Sequence, residues 1–312
     1  MGSISWRVAL RKLRVGAVSR NYFNLPLWIG LSQNLFRKEN LDVSVELFEP
    51  IDAVWRGLKE GQLDLALGVT EQIILDQENG GDLEIVAGNV NRLPFSFISG
   101  KHIRSFENLR GKTIGVSSIE SGSSSLVMKI MASHGLHYPN DYQLKAVGPI
   151  LARWEGLQTG EIDAGLQGAP LNYMAVDQGF NSLCEPRDQF PWFQFTSLNV
   201  SNRWAQNNSE DLIAFLRAFL VAHEWFYQNQ EGVRNIAMRE TGIASDYADR
   251  AWVEYTQAEI FPRDGAANPL AVQALIDTSA LIRSLPSRAD KPGQDYINSR
   301  WIDQAGRDLG RH

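Results

Sequence analysis

The chain has a single cysteine, Cys184, in 312 residues, so no internal disulfide is available and the fold must be held by its core. Positive charge is also short. Thirty Lys and Arg against 36 Asp and Glu leave a net charge of −6, which argues against nucleic acid or an anionic membrane surface as a partner. No apolar run approaches the roughly 18 residues that a membrane span requires. The five histidines, at positions 102, 134, 137, 223 and 312, form no metal-ligand set. There is no Gly-x-Ser-x-Gly elbow and no glycine-rich phosphate loop ending in Lys-Ser/Thr. No cofactor or metal is called for. The opening Met1–Lys12 lacks an unbroken apolar stretch, because Arg7 interrupts it, and no small-residue cleavage site follows. Two locations stand open: cytoplasmic if the start is as written, periplasmic if a leader was removed or missed.

What is present is an ordinary globular mixture, 44% hydrophobic and 21% charged, long enough for about two domains of roughly 150 residues. An internal repeat replaces that even split. Residues 13–68 align with 112–167 at a constant offset of 99, with thirteen identities in 56 positions. They include Gly16/Gly115, Ser19/Ser118, Asp42/Asp141, Pro50/Pro149, Trp55/Trp154, Gly57/Gly156, Gly61/Gly160 and Asp64/Asp163.

Each unit reads β-α-β-α-β. The runs Leu13–Val18 and Lys112–Ser117 are strands, followed by amphipathic helices over about Leu25–Glu39 and Ser123–His134. A further strand is expected at Leu41–Leu47. Short helices then run from Pro50 or Pro149 to left-handed caps at Gly61 or Gly160, and third strands lie at Asp64–Gly68 and Asp163–Gln167. After a strand over Phe195–Val200 the chain turns helical, with a long helix from Asn208 through about Gln230 and others beginning near Ser245 and Asn268-Pro269. Alternating strands and helices imply mostly parallel sheets that hold ligands beyond the carboxyl ends of their strands. The expected architecture is α/β with two lobes. One is discontinuous (1–98 plus 199–312), the other inserted (99–198), with crossings near Ser96–Lys101 and Thr196–Val200.

The ordered set Arg14-Val15-Gly16, Gly61-Gln62-Leu63-Asp64-Leu65-Ala66, Leu109-Arg110-Gly111-Lys112-Thr113-Ile114-Gly115-Val116 and Gly160-Glu161-Ile162-Asp163-Ala164 resembles the solute-binding component of ABC importers of the nitrate/sulfonate/taurine class. The resemblance spans about residues 12–305. It implies the type 2 periplasmic-binding-protein fold: a monomer that clamps a small solute between its lobes and delivers it to a membrane permease, whose complex includes the ATPase. A relative in this superfamily makes the thiamine pyrimidine precursor with a cysteine-rich segment, and the lone Cys184 argues against that activity here.

On this frame the candidate contacts can be weighed against ordinary structural roles. Ser117–Ser125 joins a strand to a helix whose N-terminus offers free N–H groups and about half a positive charge. Ser118, Ser121, Gly122 and Ser123 are therefore ligand candidates, although one serine can simply cap the helix. The matching turn offers Ser19, Arg20 and Phe23. Arg20 suits a carboxylate or sulfonate, and Tyr22 or Phe23 suits an aromatic ring, against a surface arginine and a core aromatic as the plain alternatives. Strand ends place Gly68, Thr70, Gln167 and Gly168 nearby. Arg92 is either the principal anion partner or a partner for Glu71 or Glu120, and the repeat offers no arginine equivalent in the second lobe. Glu71 and Glu120 point to a ligand bearing an amine or many hydroxyls, to an arginine, or to water. Trp55 and Trp154 read as packing, and Pro191–Phe195 as a hinge anchor. The first functional reading is a non-enzymatic binding protein for a small organic anion, a sulfonate or carboxylate, with Tyr22, Phe23 and Trp192 suiting an aromatic one. The alternative is a cytoplasmic decarboxylase or hydrolase of an aromatic acid on the same clamp, with Glu71 and Glu120 as its acid and base.

Overall fold

The computed structural model describes residues 9–18, 20–48, 52–68, 70–119, 122–279 and 291–311. Ser19, Glu120 and Ser121, three of the residues singled out above, lie outside them. Ten strands form two five-stranded sheets. They are β1 (Arg11–Val18), β2 (Leu41–Phe48), β3 (Leu65–Leu67), β4 (Leu83–Val90), β5 (Phe95–Ser99), β6 (Thr113–Val116), β7 (Gln143–Ala146), β8 (Ala164–Gly168), β9 (Asn181–Cys184) and β10 (Thr196–Ser201). The helices used below are α1 (Leu25–Ser32), α2 (Asp52–Lys59), α3 (Thr70–Glu78), α4 (Gly122–Ser133), α5 (Ile150–Thr159), α6 (Leu171–Asp177), α7 (Ser209–Gln228), α8 (Ser245–Gln257) and α9 (Pro269–Ser279).

The sheet orders are β2-β1-β3-β10-β4 and β7-β6-β8-β5-β9, the same design twice. In each, three strands from one repeat unit are parallel, and one strand that enters from the other lobe runs against them. That is the mostly parallel, two-lobed architecture expected. The chain leaves the first sheet after Val90 and enters the second at Phe95; it leaves the second after Cys184 and re-enters the first at Thr196. The crossings themselves thus occupy 91–94 and the stretch up to 195, a few residues ahead of the expected positions. They are bonded to each other: Phe193 N–H donates to Asn91 O at 3.0 Å and Phe195 N–H to Val90 O at 2.9 Å. The buried Gln194 amide donates to Asn91 Oδ1 at 2.9 Å and to Thr196 O at 2.8 Å.

The repeat has a physical cause in both lobes. A Cβ on Gly16 would lie 2.4 Å from Leu63 Cδ1, and one on Gly115 would lie 2.3 Å from Ile162 Cδ1. Leu63 and Ile162 are themselves 99 residues apart, so the same close approach of strand to loop is built twice. Asp64 Oδ2 accepts the N–H of Arg14 at 2.8 Å, and Asp163 Oδ2 accepts that of Thr113 at 2.9 Å. Gly61 and Gly160 end their helices at φ of 72° and 76°, the left-handed caps expected.

The first long helix departs from expectation. Leu25–Glu39 is broken after Ser32, because Asn34 turns left-handed at φ 54° and a short helix restarts at Leu35. After the break Phe36 stacks on Phe215 of α7 at 4.7 Å, inside the core of the first lobe. Among the described residues, no helix is long and apolar enough to cross a membrane.

Candidate functional site

The carboxyl ends of β6, β7 and β8 form one side of the seam between the lobes. The serine run after β6 is used mainly on itself. Ser117 N–H donates to Ser123 Oγ at 3.0 Å, Ser124 Oγ donates to Ser118 O at 2.6 Å, and Ser125 Oγ donates to Gly122 O at 3.0 Å. These bonds fold the loop back onto the start of α4, with Ser118 exposed at its outer edge. Gln167 is fully buried. With its amide oriented to satisfy both atoms, it donates to Ile150 O and accepts from Trp154 N, each at 3.2 Å. It therefore closes the first turn of α5 and does not face the seam. Gly168 ends β8 where a Cβ would come within 3.0 Å of Pro94 O, so its lack of a side chain admits the first crossing.

Sequence reasoning missed Arg153. This α5 residue is 4% exposed, and its guanidinium reaches the ends of three strands. Nε donates to Leu166 O at 3.0 Å, and Nη1 donates to Ser117 Oγ at 2.7 Å and Gly148 O at 3.4 Å. The second lobe does contain a buried arginine. The offset alignment paired it with Val54, which is also fully buried. An arginine at a position that is core in the sister unit was the available signal.

The first lobe supplies the opposite side. Gly68 leaves β3 at φ 119°. Its N–H donates to Ser197 O at 2.9 Å and its carbonyl accepts from Asn199 Nδ2 at 2.6 Å. Thr70, at the start of α3, is buried, with its Oγ1 2.8 Å from Ser197 Oγ. Both are tied into the β3–β10 junction. Phe23 stands edge-on to Phe195 at 5.3 Å, and Phe195 edge-on to Phe95 at 4.9 Å. This aromatic column runs from the first lobe through the second crossing into the second lobe. Tyr22 instead belongs to the core, packed against Phe226 and Tyr255.

The two expected arginines follow the ends of β1 and β4, and each is engaged by a neighbour. Arg20 is exposed, paired with Glu240, and lies 4.9 Å from the Trp28 ring centre. Glu240 is 220 residues away in sequence, so no local pattern announces it. Arg92 lies 4.3 Å over Trp192, and its Nε is enclosed without an acceptor. Glu71 accepts from Ser279 Oγ at 3.0 Å. Its carboxylate crosses the seam to α4, where a Cβ on Gly122 would lie 2.5 Å from Oε1. Burial pushes the Glu71 carboxyl up from its ordinary value, and the Ser279 hydrogen bond offsets this only in part.

A groove of about 780 Å³ extends between α6 and α8. Across it Arg187 meets Glu254 at 2.6 Å and Tyr173 donates to Glu254, while Arg187 also pairs with its neighbour Glu185 at 3.4 Å. Arg250 pairs with Asp177 at 2.7 Å while lying 4.7 Å over Tyr173. Burial raises the Glu185 carboxyl, which accepts from Ser96 Oγ at 2.9 Å. A smaller hollow of about 250 Å³ beside Tyr227 and Arg263 lies within the first lobe alone.

Two like-built α/β lobes, joined by paired crossings and meeting at the carboxyl ends of their parallel strands, define the two-lobed periplasmic-binding-protein fold. The chain belongs to the NMT1/THI5-like family, whose model matches residues 23–233. No curated protein sequence matches it. Among solved structures it is similar to the periplasmic nitrate-binding protein NrtA from Synechocystis PCC 6803, with TM-score 0.80 and 16% identity over 96% of this chain and 89% of that one. It is also similar to the periplasmic aliphatic sulphonate-binding protein SsuA from Escherichia coli, with TM-score 0.74 and 19% identity over 95% and 99%. A third likeness is to a DszB variant in complex with biphenyl-2-sulfinic acid, with TM-score 0.67 and 12% identity over 96% and 99%.

Proposed function

We propose that the chain is the solute-binding component of an ABC importer, closing its lobes on a small organic anion, a sulfonate or carboxylate. It acts on the periplasmic side and presents the solute to a permease driven by an ATPase. The observation that carries this reading is the seam. Strand ends of both sheets face it, and side chains of opposite lobes already meet there: Glu71 against α4, Phe23 through Phe195 to Phe95, Tyr173 with Glu254. Contacts of this kind exist only when the lobes are together, so any solute that adds more of them shifts the protein toward the closed state. The family supports the reading, as do the nitrate- and sulphonate-binding neighbours. Ser118, Gly122 and Ser123 from one lobe and Phe23 and Gly68 from the other are the proposed edges of the site, with Ser19 and Ser121 beside them in sequence.

A catalytic role on this fold has less behind it. Burial pushes the Cys184 thiol up to about 12, which keeps it protonated and a poor nucleophile. Among the described residues, Ser279 and Gly122 stand against the Glu71 carboxylate, and neither titrates. The test is a thermal-shift screen of small sulfonates, carboxylates and nitrate. Small-angle scattering with and without the hit, and mass analysis of the recovered compound, complete it. A hit that contracts the protein and is recovered intact supports the proposal. A compound recovered chemically altered refutes it, as does the absence of any contraction.

A further inference from the structure

Arg153 is a full positive charge placed inside the second lobe without a counter-charge. Its three hydrogen-bond partners, Leu166 O, Gly148 O and Ser117 Oγ, are all neutral. Among the described residues no carboxylate pairs with it, whereas seventeen ion pairs satisfy charged groups elsewhere. Burial alone moves its pKa, down to about 10, so the guanidinium stays charged at neutral pH. Keeping an ion out of water with only neutral partners is costly, and such a group is retained where something else answers it.

A guanidinium carries five N–H donors. One on Nε and two on Nη1 are used, which leaves both on Nη2. Nη2 donates to no described residue, and it is not among the side-chain atoms sealed from solvent without a partner. Ser117 Oγ accepts from Nη1 at 2.7 Å, so its own hydroxyl proton points elsewhere and is given to no described residue. The cation polarises that hydroxyl and makes it a stronger donor. These donors sit side by side at the carboxyl ends of β6, β7 and β8, the place where open α/β sheets take their ligands.

We infer that Arg153 and Ser117 together form the oxyanion seat of the second lobe, gripping the sulfonate or carboxylate group of the solute through Nη2 and the Ser117 hydroxyl. The inference rests on the solute-binding reading and sharpens it. The charge that selects the ligand comes from α5, and Arg20 and Arg92 do not supply it. Two adjacent donors suit two oxygens of one planar or tetrahedral oxyanion, and they leave the remainder of the solute to the aromatic column and the first lobe.

The probes are ethanesulfonate, benzenesulfonate and benzoate, each titrated beside its uncharged amide by calorimetry. Wild-type protein should favour at least one acid over its amide by about a hundredfold or more. Arg153→Met should weaken that acid by roughly thirtyfold or more while leaving the amide within about threefold. Arg153→Lys should recover part of the loss, and Ser117→Ala should cost about tenfold. Retention of acid affinity in Arg153→Met overturns the inference, and so does wild-type protein that binds acid and amide alike. If Arg153→Met fails to fold by circular dichroism, Arg153→Lys and Ser117→Ala decide, and unchanged affinity in both overturns it. Wild-type protein that binds none of the acids also overturns it. Scattering with a library of neutral solutes then tests separately whether the lobes close on anything, so failure of the seat and failure of the clamp are read apart.

Discussion

Replacing Glu254 by Gln removes one charge and almost no volume from the bridge across the groove. Glu254 receives Arg187 at 2.6 Å and the Tyr173 hydroxyl, and the side chains of the ion pair are only 19% and 13% exposed. So little water reaches the pair that the near-zero value of a surface salt bridge does not apply, and a hydrogen bond to a charged group contributes about 1.5–3 kcal/mol. Arg187 retains Glu185 at 3.4 Å, and the glutamine oxygen can still accept, so the loss should be nearer about 1–2 kcal/mol. Tyr173 joins α6 of one lobe to α8 of the other, and Arg187 reaches α8 from the second crossing, so the part of the loss that falls on the Tyr173 bond is borne by closing. At 1.4 kcal/mol per decade the whole loss sets an upper bound of roughly a 5- to 30-fold drop in the closing constant, with a matching drop in apparent affinity if the free protein is mostly open. The assay is calorimetry on the best hit from the screen, together with fluorescence transfer between dyes on the outer faces of the two lobes. Dissociation should quicken while association barely changes. Affinity within twofold of wild type, together with an unchanged dye-to-dye distribution, refutes the reasoning. So does a double-mutant cycle with Arg187→Met in which the two effects simply add.

Three further outcomes are expected. His223 is fully buried, its Nδ1 2.7 Å from Pro262 O, and burial pushes its pKa down to about 4. The unfolded chain therefore takes up a proton near 6.5 that the folded protein refuses. Stability should fall as pH drops from about 6.5 to about 4, by about 3 kcal/mol in urea titrations, and His223→Phe should flatten that slope; an equally steep slope in the variant assigns it elsewhere. Gly115→Ala should cost about 1–3 kcal/mol by driving a methyl into Ile162 Cδ1, 2.3 Å away. Adding Ile162→Val, which removes that atom, should restore most of it, and no rescue in the double variant would sink the packing argument. Finally, burial raises the Glu71 carboxyl where the lobes meet, so closing takes up a proton and affinity for a sulfonate should improve as pH falls through that raised value toward the ordinary carboxylate range. Glu71→Gln should abolish this dependence in titrations at several pH values, whereas a wild-type affinity independent of pH would remove its basis.

The parts of this protein that could be read from sequence are those that repeat. Gly16 with Leu63, and Gly115 with Ile162, are the same packing solution, and an identical spacing in the chain records it. The Asp64 and Asp163 carboxylates grip the first strand of each unit in the same way. The site was less legible because whether a charged or polar side chain is available depends on partners far away in the chain. Arg20 looks available until Glu240 is folded beside it, and Gln167 looks available until α5 packs its backbone against it. The serine run promises many donors, yet much of its bonding capacity closes its own loop. Arg153 sits next to a buried tryptophan on a short helix, and spacing alone does not separate a buried guanidinium from one that reaches water.

The ladder that ties the crossings to each other, Phe193 to Asn91 and Phe195 to Val90 with the Gln194 amide across them, restricts how the molecule can move. Two separate tethers would let one lobe roll, twist and slide over the other. Tethers locked side by side behave as a single plate, which bends readily about one line and resists everything else. A swing of this sort has one coordinate. Reporters fixed anywhere on the second lobe should therefore trace the same opening angle, whatever ligand produces the closed state.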